Sequence, residues 1–302
     1  MTLTAFLLIL CSTVLHAWWN YRGKRHKPSA AFFLLADGSV ALLTFPFLIY
    51  FHAELAQLPL KFWLLVLSTG FFEALYYTGI AYAYKSGELS TAYPLIRAFP
   101  VLMVPLFGLA MGESHPLSPG ALLGFAVVCV GCFVLPLPNF SSFKAGSFLN
   151  RSCAWAVLAG LGGTGYMLID YASVQMLRSG TPALFGPSQL VLVLVPLLTI
   201  STVLWLGVYL ATHQPERVEL KDLWQNSRWY VAGTGVAIWI SYGLVLIAMG
   251  FVTDVSYISA FRSLGIPIGA LLGVVVLREP SCVPKWVGVS AVSAGLLIVK
   301  LA

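Results

Sequence analysis

Residues 89–113 read LSTAYPLIRAFPVLMVPLFGLAMGE, and residues 255–279 read VSYISAFRSLGIPIGALLGVVVLRE. Each run is long enough to cross a bilayer as a helix, for which about 20 apolar residues suffice. Each holds an arginine in its interior, Arg97 or Arg262, about seven residues in and therefore roughly 10 Å deep at the helical rise of 1.5 Å per residue. A guanidinium at mid-membrane costs about 2.5 to 3.5 kcal/mol on insertion scales. A chain tolerates that twice only if both charges face something other than lipid. The two runs are related by an offset of 165 residues, which also puts Gly70 on Gly235, Tyr77 on Tyr242 and Gly108 on Gly273. A slip of one residue then puts Glu113 on Glu279.

The rest of the chain has the same character. Of its 302 residues 59% are hydrophobic and 9% charged, whereas soluble domains are about one quarter charged. This excludes a soluble enzyme with one greasy segment. Apolar runs bounded by loop signals give ten spans, at about 2–21, 30–51, 62–84, 90–112, 118–138, 152–176, 183–211, 229–251, 256–277 and 286–301. The fold class expected is all-α integral membrane. Residues 1–138 form one five-helix repeat, 139–151 a connecting loop and 152–302 a second repeat. Five is odd, so the second repeat enters from the opposite face, the inverted-topology pattern of many secondary transporters. The first span lacks a basic segment before its apolar stretch and reads as a retained helix rather than a signal peptide.

The formal net charge of +6 is explained by topology. Twelve of the 17 Lys and Arg fall in the first, third, fifth, seventh and ninth loops, three lie on the other side, and the remaining two are Arg97 and Arg262. The positive-inside rule places the twelve in the cytoplasm and both termini opposite. No basic stripe suits a nucleic-acid groove. Five cysteines, three of them within apolar runs, make a disulfide framework an unsuitable reading. Cys129-x-x-Cys132 has no second ligand pair, so no metal site is expected.

Residues 75–113, LYYTGIAYAYKSGELSTAYPLIRAFPVLMVPLFGLAMGE, resemble the signature of the EamA repeat in the drug/metabolite transporter superfamily. Residues 245–279 resemble its second copy. His16-Ala-Trp-Trp-Asn20 followed by Lys24 is similar to the first-helix pattern of bacterial members. The resemblance implies ten helices in two inverted repeats, and transport rather than catalysis. Members export amino acids and other metabolites, exchange nucleotide sugars or phosphorylated sugars, or export metal-chelating opines. The copies differ: Ser259 stands where the first has Pro94, and Pro267 comes later.

The candidate substrate-binding residues are Arg97, Arg262, Tyr77, Tyr242, Glu73, Tyr93, Trp239, Tyr76, Trp19 and Asn20. The arginines would grip a carboxylate, phosphonate or phosphate through two parallel bonds; the alternative is a structural ion pair with Glu73, Asp37 or Asp170. Glu73, Tyr77 and Tyr84 share one helix face. Tyr76, Tyr77, Trp239 and Tyr242 could line a cavity or simply pack, whereas Trp224, Trp229 and Trp286 at span ends suit a membrane-interface belt. The candidates for proton coupling are Glu73, His16, Asp170 and Asp37, intramembrane carboxylates and a histidine that titrates near neutrality. Asp170, nearer a span end, is expected to be partly hydrated. His16, Trp19 and Asn20 are expected to close the first span.

Gly160-Leu-Gly-Gly-Thr-Gly165 matches a dinucleotide-binding fingerprint by letter but lies within an apolar helix, where small residues serve packing. No Walker A motif or catalytic triad spacing occurs, and no cofactor is expected. The reading is an inner-membrane secondary exporter of a small zwitterionic or acidic metabolite, proton-coupled, working as a monomer or homodimer in the lipid bilayer. A facilitator or exchanger of phosphorylated or sugar metabolites is the alternative, and a membrane-embedded enzyme a remote one.

Overall fold

The computed structural model describes residues 3–26, 28–87, 89–111, 118–134, 137–142, 150–179, 185–252, 255–278 and 280–301. Glu113, Glu279 and most of the 139–151 connection lie outside the described residues. Among those described there is no strand. The long helices are α1 (Leu3–Arg25), α2 (Ala30–Tyr50), α4 (Leu60–Ser86), α5 (Leu89–Met111), α6 (Pro119–Val134), α7 (Arg151–Ser179), α8 (Pro187–Thr212), α10 (Arg228–Met249) and α13 (Val283–Leu301). Shorter elements are α3 (His52–Leu55), α9 (Gln214–Asn226), α11 (Val255–Arg262), α12 (Gly265–Leu271) and a π-helical turn at Leu272–Val276. Seven helices are long and apolar enough to cross a membrane, 3–25, 30–50, 60–86, 151–178, 189–212, 228–249 and the composite 255–276. Leu42, Val130 and Val275 point outward from their helices and are exposed, a surface suited to lipid tails rather than water. The chain is thus an all-helical protein of multi-pass membrane character.

Two expected boundaries are corrected. The first helix runs on to Arg25, so His16, Trp19 and Asn20 lie within it rather than closing it. The extension is held by its own basic residues. Arg22 lies 3.9 Å from the Tyr230 ring centroid and donates to the Thr234 hydroxyl at 3.0 Å. Lys24 donates to the Tyr84 and Gly87 carbonyls at the end of α4, where helix carbonyls lack intrahelical partners. The segment expected to be a loop at 212–228 holds the amphipathic helix α9. Its Glu216 is buried, accepting from the Ala31 N–H at 2.9 Å and the Tyr82 hydroxyl at 2.8 Å. With the Ser29 side chain accepting from Phe32 N–H, two free donors at the start of α2 are satisfied.

The ninth expected span is broken. Ser263, Leu264 and Ile266 donate to carbonyls three residues back, a tightened turn between α11 and α12. Pro267 explains it: the ring has no N–H and clashes with the carbonyl four residues earlier, at Ser263. Arg262 is therefore the last residue of a short helix, while Arg97 sits inside the continuous α5.

The principal helix packings are α4 with α7 and α8, α1 with α10 and with α11–α12, α2 with α8 and α10, α5 with α7 and α11–α12, and α6 with α13. Glycines set several of these crossings. A Cβ on Gly70 would strike Ser201 of α8, and one on Gly235 would strike the backbone of Ala36 in α2. Gly162 would collide with Phe72 O and Tyr76 N of α4, each 2.7 Å away, so the Gly160–Gly165 run serves close helix packing. Overpacking at such contacts costs about 1 to 3 kcal/mol or more. Gly70→Leu and Gly235→Leu should each lower the melting temperature of the purified protein in detergent. Gly207→Ala, with nothing within 4 Å of its Cβ position, should not.

Candidate functional site

Helices α1, α4, α5, α7, α10 and α11 bring Arg97 and Arg262 into one buried cluster. Both arginines are almost fully enclosed, at 5% and 2% exposure. The Arg97 guanidinium carbon lies 5.5 Å from the Tyr93 ring centroid, and that of Arg262 lies 5.7 Å from Tyr242. An aromatic face offers each cation an electrostatic partner. Tyr76, Tyr166 and Tyr242 form an edge-on chain of rings, with centroids 5.4 and 5.6 Å apart. His16 reaches into the same cluster from α1. Its Nε2 is 3.5 Å from the Tyr76 hydroxyl, its Nδ1 is 3.5 Å from Arg262 Nη2, and both guanidiniums act on it through space. Trp19 stands edge-on to His16 at 4.6 Å. Asn20 donates to the His16 carbonyl and accepts from Tyr84 at 2.7 Å, which ties down the turn of α1 that carries the histidine.

Neither guanidinium has a carboxylate oxygen within 4.0 Å among the described residues. The expected alternative of an ion pair with Glu73, Asp37 or Asp170 is therefore not what this structure contains. Arg97 Nε, Arg262 Nε, Arg262 Nη1 and the Tyr93 hydroxyl are buried without hydrogen-bond partners. Leaving a buried donor unsatisfied costs about 1 to 3 kcal/mol, and more for a charged one. Gly265 and Gly269 lack the side chains that would strike Tyr93, so the break beside Arg262 also makes room for the ring that faces Arg97.

The carboxylates lie on the other side of Tyr242. Asp37, Glu73 and Asp170 are buried, Asp170 at 1% exposure rather than partly hydrated as expected. Asp170 accepts from the Thr69 hydroxyl at 2.7 Å and from Tyr242. Glu73 accepts from Thr202 at 2.8 Å. Asp37 Oδ2 has no partner. Asp37, Glu73, Tyr77, Thr199, Trp239 and Tyr242 line a cavity of about 20 Å³, enough for one water and too small for a metabolite. Trp239 Nε1, on the wall of this cavity, is also unpartnered. Tyr77 stacks on Phe33 at 4.5 Å with its ring nearly parallel.

Tyr242 thus touches both groups, its ring under Arg262 and its hydroxyl on Asp170. The residues that sequence reasoning missed are Tyr166, Thr69 and Thr202. Tyr166 had a signal, since it precedes Asp170 by one helical turn and shares its face; the threonines had none, because hydroxyls in apolar helices commonly bond back to their own helix.

No family model matches the chain, and no curated relative does. A solved crystal structure does match in three dimensions, over 100% of this chain and 98% of its own, with a TM-score of 0.67 and 14% sequence identity. At that identity the likeness is one of fold.

Tyr242→Phe keeps the ring beneath Arg262 and removes one donor to Asp170. It should destabilise the protein by about 1 to 3 kcal/mol, read as an earlier unfolding midpoint in detergent.

Proposed function

We propose that this chain is a secondary transporter, an inner-membrane exporter of a small zwitterionic or acidic metabolite such as an amino acid, an amino-acid-derived metal chelator or an opine. The observation that carries this is the pair Arg97 and Arg262, buried, converging on His16 and without a carboxylate partner among the described residues. An anion held between two such forks would receive the charge-assisted bonds that both guanidiniums lack. The tyrosine rings would enclose its apolar body, and Glu73, Asp37 or Asp170 would meet an ammonium at its far end or carry a proton.

The architecture proposed with this is ten membrane helices in two inverted five-helix repeats of the EamA kind. Beside the seven long apolar helices, 119–134 and 283–299 are apolar but shorter, and 89–111 completes ten. The repeat is supported by the packing, which is closed under exchange of the halves. The pairing of α4 with α7 mirrors that of α1 with α10, α4 with α8 mirrors α2 with α10, and α5 with α7 mirrors α1 with α11–α12. It also holds by residue, for Gly70 against Ser201 and Gly235 against Ala36 exchange under the 165-residue offset. Alternating access needs such symmetry, one site between two related gates. The loop charges orient the side with twelve Lys and Arg toward the cytoplasm. A guanidinium fork accepts phosphate as well as carboxylate, which keeps an exchanger of phosphorylated metabolites as the second reading.

The test is untargeted mass spectrometry of medium from cells expressing the wild type or Arg97→Ala. A zwitterionic or acidic metabolite should be enriched by the wild type and reduced about tenfold or more in Arg97→Ala, the effect of losing one charge-assisted contact of about 1.5 to 3 kcal/mol. Arg97→Lys should fall between, keeping the charge and losing the fork. Undiminished export by Arg97→Ala at matched expression would overturn the site.

A further inference from the structure

We propose that Asp37 and Glu73 together hold one proton, across a single water in the cavity between them, and that this proton binds together with an anion at Arg262. The proton site stands on geometry alone; only its partnership with a transported anion rests on the function proposed above.

The groups around the cavity come from six helices. They are Asp37 from α2, Glu73, Tyr76 and Tyr77 from α4, Tyr166 and Asp170 from α7, Tyr242 from α10 and Arg262 from α11. Helix α8 offers Thr199 and Thr202, with no charge. Beyond Tyr76 lie His16 and Arg97. The two carboxylates share the Tyr77 hydroxyl as a neighbour, and neither has a cation within 4.0 Å among the described residues. Asp170 is not part of the cavity wall, and the Thr69 and Tyr242 hydroxyls donate to it.

Two carboxylates sharing an enclosed site without a counter-ion do not both ionise readily. Two like charges on the wall of one small cavity repel each other, on top of the burial of each. One shared proton removes one of those charges. It also supplies an O–H to the otherwise unpartnered Asp37 Oδ2, directly or through the water, while Trp239 Nε1 provides that water with a donor. His16 is the poorer proton holder because a third positive charge would stand beside two guanidiniums.

Arg262 is the cation that acts on Glu73 and Asp170. An anion on its free Nε and Nη1 cancels part of that field, so the carboxylate pair keeps its proton. A proton on the pair in turn removes a negative charge that competes for Arg262. Such linkage is reciprocal. A purely anionic cargo would therefore cross with the proton, in the same direction. A zwitterion whose ammonium reaches Asp37 and Glu73 would displace the proton and exchange against it. The charge at the far end of the cargo decides which way protons move.

The test needs no cargo. Infrared spectra of the purified protein at about pH 7 should show the C=O absorption of a protonated carboxylic acid. It should vanish in the D37N/E73Q double variant and survive in Asp170→Asn. In Arg262→Gln it should persist to more alkaline pH than in the wild type. No such absorption in the wild type, or one unchanged in the double variant, would overturn the proton site, and the wild-type spectrum decides this even if a variant fails to fold. An Arg262→Gln titration identical to wild type would overturn the linkage. A proton site found alongside undiminished export by Arg97→Ala would locate the error in the transport reading instead.

Discussion

A guanidinium buried among apolar helices is stable only where polar or aromatic groups surround it, and two of them set the terms for this structure. The two are accommodated by different means. Arg97 lies inside an unbroken helix and faces the ring of Tyr93, one turn earlier. Arg262 is the last residue of a helix that Pro267 prevents from continuing. There the carbonyl end of the helix favours a cation, and Tyr242 supplies an aromatic face from the neighbouring helix. What both lack, among the described residues, is a carboxylate within 4.0 Å.

The convergence of six helices on these charges demands close backbone approach, and glycine provides it. Gly70, Gly162 and Gly235 each stand where a side chain would enter the adjacent helix. Apolar attraction between helices is weak against lipid, so contact of backbones and buried hydrogen bonds carries more of the association. Ser12 and Ser241, each donating to the other's carbonyl, are one such tie between α1 and α10. Glu216 is another, reaching from a surface helix to the start of α2 and to Tyr82 of α4.

Charge is then sorted within the interior. Tyr242 has Arg262 by its ring and Asp170 on its hydroxyl, and it lines a cavity with Asp37 and Glu73. Hydroxyls, not cations, donate to Asp170 and Glu73, from Thr69, Tyr242 and Thr202. Opposite charges kept near one another without pairing leave both free to respond to a ligand.

By itself the sequence determined the helical class, most helix boundaries and the need to enclose the two arginines, because apolar run length and the burial of charge are properties of a segment and its solvent. Pro267 likewise marked the run from 255 as different from that at 89–111, and the helix breaks before it. Where the chain met other chain rather than lipid, one-dimensional reading stopped. The turn from Arg22 to Arg25 reads as a loop by charge, yet it is helix because Tyr230, Thr234 and the end of α4 receive its cations. Residues 214–226 lack a membrane-length apolar run, and α9 shows its amphipathic role only against α2 and α8. Asp170 seemed nearer to water by its place in the span, and the structure buries it under hydroxyls from two other helices. Only the tertiary structure decided that the arginines have no carboxylate partner among the described residues and that Asp37 and Glu73 share a cavity, because direction around a helix axis is set by the neighbours that pack on it.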